Sequence, residues 1–157
     1  YCHETATQIY SVEPSLENFK RLKERTKKMK NVKCFNLAIG IEDQEERNLY
    51  GSSSDGGYSI RLAGGSVDLC GVVKVQTLKT FMDENNIEIV DLLKVDCEGA
   101  ENEIFVQGFI ESGLPQRIKR IVGENHYEDT GIFGILKASG YIVFTSENIF
   151  EAIRNEV

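Results

Sequence analysis

Leu92-Leu93-Lys94-Val95-Asp96-Cys97-Glu98-Gly99-Ala100-Glu101 reads as an apolar strand that ends in carboxylates and a glycine and passes into a helix. In an α/β sheet, ligands bind in the crevice outside the carboxyl ends of the strands, so Asp96 and Glu98 are expected at the mouth of a site. Ile9-Tyr10-Ser11-Val12-Glu13-Pro14 has the same layout: a short apolar strand closed by an acid and followed by an amphipathic helix. An acid at that place can hold the two ribose hydroxyls of a nucleoside cofactor. The stretch from Ile118 to Glu124 repeats the pattern and runs into Asn125 and His126.

Outward from these strands the chain alternates strand and helix patterns, which predicts an α/β fold with a parallel or mostly parallel sheet covered on both faces. Leu16, Phe19, Leu22, Thr26 and Met29 recur every three or four residues and predict the buried stripe of a helix starting near Pro14 or Ser15. Val32 to Ala38 is expected as the next strand, and Arg47 to Tyr50 as a short one. Gly51 to Gly57 has the composition of a flexible loop, of the kind that often serves as a lid. Tyr58 to Leu62 and Val72 to Gln76 read as two short strands forming an antiparallel excursion.

Thr77 is a plausible N-cap for a helix through Glu84 with Leu78, Phe81 and Met82 turned inward. Ile89 to Asp96, nearly all apolar, is expected as a central strand buried on both faces. Gly99 permits a sharp turn into a helix that bears Ile104 and Phe105 and ends around Gly108. A further helix around Ile132 to Leu136 stops at Gly140, and Tyr141 to Phe144 with Ile149 to Ile153 predicts an antiparallel edge hairpin.

With 157 residues and 41% hydrophobic content the chain can bury a real core, and its longest apolar stretches are strand-length, too short to span a bilayer. The net charge of −7 argues against a general nucleic-acid binder, because neutralising phosphates needs a basic surface. Between Lys20 and Lys33 the balance reverses, with eight Lys or Arg and one Glu. Such a run is commonly the solvated face of a helix; docking of an acidic partner is the other reading.

Cys2, Cys34, Cys70 and Cys97 are widely spaced and form no C-x-x-C pair, so they read as reduced thiols of a cytoplasmic protein. Cys97 could pass for a nucleophile, but the flanking Asp96 and Glu98 are expected to raise its pKa and suppress the thiolate. The first residue is Tyr1, not Met, which leads to the expectation that something upstream was removed or never included.

The segments Ser11-Val12-Glu13-Pro14, Asn36-Leu37-Ala38-Ile39-Gly40, Val75-Gln76-Thr77-Leu78, Asp91 to Glu101 and Glu124-Asn125-His126 resemble the FkbM-type methyltransferases, in this order and at similar spacing. The likeness runs from about Ile9 to Phe144, and its most specific element is the block Leu93 to Glu101. It implies a Rossmann-like class I methyltransferase sheet with a reversed last strand, a single methyltransferase-like domain over residues 1–157, and S-adenosylmethionine as cofactor. The implied reaction moves the cofactor's methyl group to a hydroxyl on a small molecule or sugar. The family's first strand and its N-terminal glycine-rich turn should lie upstream of Ile9, and the stretch Tyr1 to Gln8 has no G-x-G; the first strand is therefore expected to be missing.

Carried over by this resemblance, Glu13 accepts hydrogen bonds from the ribose, Pro14 follows it in the cofactor turn, and Ala38 and Ile39 line an adenine pocket. A bland alternative for Glu13 is a carboxylate stabilising the start of the next helix through its macrodipole. Asp96 lies where the reacting methyl is expected. Transfer to an alcohol also requires removal of a proton, for which His126 or Asp96 is the candidate base, with Glu98 and Glu124 orienting the acceptor. The same four residues offer ligands acceptable to Mg²⁺ or Mn²⁺, though the leading expectation is a site without metal. Two other classes fit in part: a catalytically inactive interaction domain that keeps the fold, and an NAD-type nucleotide-binding Rossmann enzyme. Oligomer formation is open, and no membrane partner is expected.

Overall fold

The computed structural model describes residues 6–51, 57–60, 68–126 and 131–155. It is a mixed α/β fold that divides between Gln76 and Thr77 into two compact units.

In the first unit, β1 (Ile9–Val12) pairs in parallel with β2 (Val32–Phe35), with Ser11 opposite Cys34. Between them runs α1 (Leu16–Thr26), which starts where expected. Ser15 is its N-cap, and its hydroxyl accepts from the Asn18 N–H at 3.4 Å, meeting one of the donors every helix start leaves open. The expected stripe is only half sheltered, since no residue of α1 is fully buried and Leu16 is 56% exposed. Leu16 is the first helical residue, before the helix has closed onto the strands. The basic side chains of α1 lie in water, where Arg21 pairs with Glu17 and Lys27 with Glu24. Exposed pairs of this kind contribute little stability.

The strand expected over Val32 to Ala38 is broken in two. After Phe35 the chain leaves the β1–β2 pair, and β3 (Ala38–Ile39) joins a different sheet, parallel to Val75 and Gln76. Asn36 marks the break: its amide donates to the carbonyls of Glu13 and Pro14, both at 2.9 Å, in place of a ladder bond. The second sheet has the order β3-β6-β4-β5, with β4 (Gln44–Gly51), β5 (Tyr58–Ser59) and β6 (Asp68–Gln76). The two strands expected to form an antiparallel excursion do not pair with each other: β5 and β6 lie on either side of β4, each antiparallel to it, and β4 and β6 are longer than their apolar cores suggest. Antiparallel β4 and β6 pair through two irregularities of register, which carry polar residues such as Glu45 and Glu46 along. Of the loop read as a lid, 52–56 lie outside the described residues, as do 61–67 and Cys2.

The second unit opens with α2 (Leu78–Glu84), capped by Thr77, whose hydroxyl accepts from the Thr80 N–H at 3.0 Å. Leu78, Phe81 and Met82 are buried as expected. The sheet of this unit has the order β7-β8-β10-β9, comprising β7 (Leu93–Val95), β8 (Arg120–Glu124), β9 (Tyr141–Ser146) and β10 (Ile149–Arg154). β7 and β8 are parallel, whereas β10 runs antiparallel to both β8 and β9, so the expected hairpin is there with the reversed strand one place in from the edge.

The strand expected over Ile89 to Asp96 is reduced to three residues at the end of that sheet, preceded by one bridge from Val90 to Ile118. Ile89 and Leu92 are about half exposed, because a strand with one sheet neighbour among the described residues has less cover than a central one. The helix expected through Ile104 and Phe105 is likewise two short pieces, α3 (Glu101–Ile104) and α4 (Gln107–Glu111), separated where Phe105 turns inward. Phe105 meets Phe109 edge-on at 5.3 Å and Phe150 at 6.3 Å, while Phe133 of α6 (Ile132–Ala138) meets Phe150 at 5.6 Å. Such pairs add about 0.5–1.5 kcal/mol each beyond the area they bury, enough to outweigh one broken helical turn. α5 (Leu114–Arg117) is anchored by the buried Tyr141 hydroxyl, which donates to the carbonyls of Ile118 at 2.8 Å and Pro115 at 3.2 Å. Gly140 takes the left-handed conformation (φ 89°) that ends α6. Among the described residues, no helix is long and apolar enough to cross a membrane.

Candidate functional site

The ends of β7 and β8 point the same way because the strands are parallel, with Val95 beside Gly123. The residues just beyond each strand are therefore delivered to one place. After β7, Glu98 (φ 50°) and Gly99 (φ 93°) take successive left-handed conformations and swing the chain round into α3. After β8, the chain passes through Glu124 to His126, and the Asn125 N–H donates to the Asn148 carbonyl in the β9–β10 turn at 2.7 Å. Asn148 also donates to Glu124 Oε1, so that turn holds the end of β8 at two points.

His126 is the centre of the arrangement. Its Nε2 lies 3.5 Å from Glu98 Oε2, 3.9 Å from Asp96 Oδ1 and 4.0 Å from Glu124 Oε1. Its Nδ1 lies 3.1 Å from Glu101 Oε1, which also accepts from the Cys97 N–H at 2.7 Å. Exposure is graded across the cluster, from 1% for the Glu101 side chain and 21% for His126 to 50% for Glu98. The imidazole thus has one nitrogen facing the interior and the other facing carboxylates that water, or a ligand, can reach.

All four residues expected on the acceptor side, Asp96, Glu98, Glu124 and His126, are brought together. Glu101 stands in the same motif but was not singled out; its burial comes from the turn at Glu98 and Gly99, and only its place in an acid-rich run could have drawn attention to it. Nothing local marks Asn148. Asp96 also bonds Lys94 Nζ through Oδ2 at 2.7 Å. Ligand atoms of Asp96, Glu124 and His126 lie within 4.8 Å of one another, a set able to hold a divalent cation, although acidic groups also gather without one.

Cys97 behaves as expected for an inert thiol, with a corrected cause. Desolvation comes first, followed by the charge of Glu101, and together they push the thiol up to about 12; Asp96 acts both ways, its backbone hydrogen bond lowering the pKa and its charge raising it, and Glu98 is not among the causes. A thiol so perturbed is not a nucleophile near neutral pH.

In the first unit, Glu13 sits at the end of β1 and Oε1 accepts from the Ser15 N–H at 2.8 Å. Burial raises its pKa, and that hydrogen bond partly offsets the rise. The bland role is therefore realised in part: the carboxylate supports the start of α1, but through a hydrogen bond and from a half-buried position. Glu13 also lines an open cleft of about 340 Å³ with Ser11, Val12, Asn18, Arg21, Leu22 and Arg25. Pro14 is half-buried beside it. Ala38 is buried and Ile39 half-buried in β3, outside the walls of that cleft.

These observations define a mixed α/β protein whose chemistry-bearing side chains sit at the carboxyl ends of parallel strands. The family described as Methyltransferase FkbM domain matches residues 3–154, and the chain belongs to it. The structure is similar to the crystal structure of methyltransferase FkbM from Methylobacillus flagellatus KT at 2.20 Å resolution, with a TM-score of 0.58 and 11% sequence identity. That likeness covers 94% of this chain and 36% of the other, so this chain spans little more than a third of that protein's length. Comparison with curated proteins finds no match.

Proposed function

We propose that this chain is an S-adenosylmethionine-dependent methyltransferase acting on a hydroxyl of a small molecule or sugar. Family membership supports the methyltransferase class. The observation that carries the choice of a hydroxyl is the convergence of Asp96, Glu98 and Glu124 on His126 Nε2, because an alcohol, unlike a stronger nucleophile, must give up a proton as it is methylated. Within the second unit, the parallel β7–β8 pair followed by the antiparallel β10 supports a Rossmann-like arrangement with a reversed last strand.

The residues present fit the cofactor. Glu13 Oε1 is engaged by Ser15, and its carboxylate keeps further lone pairs with which to accept from a ribose. The cleft it lines matches the lower range of small-molecule sites. When bound, the cofactor supplies a methyl group on a positively charged sulfur. Glu13 holds the ribose, Pro14 shapes the turn beside it, and the half-buried Ile39, next to the buried Ala38, offers apolar contact to an adenine that extends beyond the walls of that cleft. Glu98 and Glu124 orient the acceptor hydroxyl, and the proton goes to His126 or Asp96. Free thiols at Cys34, Cys70 and Cys97 support a reducing compartment, the cytoplasm.

Calorimetric titration with S-adenosylmethionine tests this reading. The chain is expected to bind, and Glu13→Ala to weaken binding at least tenfold, as befits loss of hydrogen bonds to a charged group worth about 1.5–3 kcal/mol. Absence of binding by the unsubstituted chain would overturn it.

A further inference from the structure

We infer that Glu101 is a positioning residue that fixes the tautomer of His126 and so makes its Nε2, rather than Asp96, the atom that receives the acceptor's proton; this rests on the methyltransferase reading above. A carboxylate has lone pairs and no hydrogen to give. Glu101 Oε1 already accepts from the Cys97 N–H at 2.7 Å, and the 3.1 Å contact to His126 therefore takes its hydrogen from Nδ1. Neutral imidazole carries one N–H, so Nε2 keeps its lone pair.

That lone pair faces Glu98, Asp96 and Glu124 at 3.5 to 4.0 Å. At these distances Nε2 makes no direct hydrogen bond of good length to a described carboxylate, and a hydroxyl placed beside the pair can reach Nε2 and a carboxylate oxygen together. In the reaction the hydroxyl's O–H bond breaks and an N–H bond forms at Nε2. The oxygen's electron pair makes the new C–O bond, and the C–S pair leaves with sulfur. The imidazolium produced then lies within 4.0 Å of four carboxylates, which stabilise it. Asp96 lacks such support: it is exposed and bonded to the exposed Lys94. Glu101, with 1% of its side chain exposed, is held by the turn it closes and cannot swing away.

The chain has two histidines, His3 and His126, so long-range ¹H–¹⁵N NMR reads the ring directly, with His3→Ala assigning the signals. With the ring neutral, His126 is expected as the Nδ1–H tautomer. Glu101→Gln, which keeps an accepting oxygen, should retain it. Glu101→Leu should lose it in favour of the Nε2–H form that imidazole prefers in water. An Nε2–H ring in the unsubstituted chain, or a Leu variant with the tautomer unchanged, would overturn the inference, and the first of these needs no variant to fold. S-adenosylmethionine titration of the same sample separates the two readings, because failure to bind removes the methyltransferase function and leaves the tautomer result standing.

Discussion

Glu13 and Glu101 are both acids that follow a strand of a parallel pair, Glu13 directly and Glu101 as the first residue of α3, yet the two units of the molecule use them differently. Glu13 bonds the backbone two residues on, lines an open cleft, and is made harder to ionise by its burial. Glu101 is sealed inside and meets an imidazole 25 residues away. The first arrangement can be assembled from one local turn; the second exists only when β7 and β8 are side by side. The contrast teaches that the same residue type at the same kind of strand end is an available ligand group in one unit and a fixed support in the other.

The sharpest way to break this contrast is His126→Ala. It leaves the buried Glu101 carboxylate with the Cys97 N–H as its remaining described partner, and loss of a hydrogen bond to a buried charged acceptor costs about 1–3 kcal/mol. Urea unfolding at neutral pH should read that loss, and a second substitution, Glu101→Leu, should recover part of it as a coupling energy. A cost below about 0.5 kcal/mol would place His126 with ordinary surface residues.

Gly123→Ala tests the strand contact beneath the cluster. A Cβ there would lie 2.6 Å from the Phe150 ring and 2.9 Å from the Val95 carbonyl, so overpacking of about 1–3 kcal/mol is expected in a denaturant melt. In the other unit, Ser15→Ala removes the cap of α1 and should cost about 1 kcal/mol, read in the same melt and without effect on the His126 tautomer.

The smallest effect has the opposite sign. Because burial raises the Glu13 pKa above its ordinary 4.5, the folded state holds that proton more tightly than the unfolded chain does. Its contribution to stability is full below pH 4.5 and is lost as pH rises through the folded pKa. Glu13→Gln, which carries no charge to bury, should therefore be slightly more stable than the unsubstituted chain at pH 7, by no more than about 0.5 kcal/mol, with the gain absent below pH 4.5. Thermal melts of the ligand-free chain across that range check it.

Much of the fold was legible because its signals are local. The helix start near Ser15, the cap at Thr77, the stop at Gly140 and the β9–β10 hairpin each depend on residues within a few positions. Where the reading went astray, a distant partner intervened. Asn36 bonds two carbonyls 22 and 23 positions back and splits one strand into β2 and β3. Phe105 gives up the helix for contacts with Phe109 and Phe150. The run from Ile89 to Leu92 is apolar enough for a central strand but gained a single bridge, since pairing needs a neighbour that hydrophobicity alone does not supply. At the site, Asp96, Glu98, Glu124 and His126 could be named from their strand ends, whereas Glu101 could not be told apart from an exposed first-turn acid.

By itself the sequence determined which residue types stand at the strand ends, the class of fold that presents them, and the family resemblance, because composition, periodicity and spacing are carried along the chain. Only the tertiary structure decided that Glu101 is buried, that His126 lies between it and three outward carboxylates, and that β7 has one partner among the described residues. Burial and angstrom-scale approach between residues 25 apart arise from packing, and no local pattern encodes them.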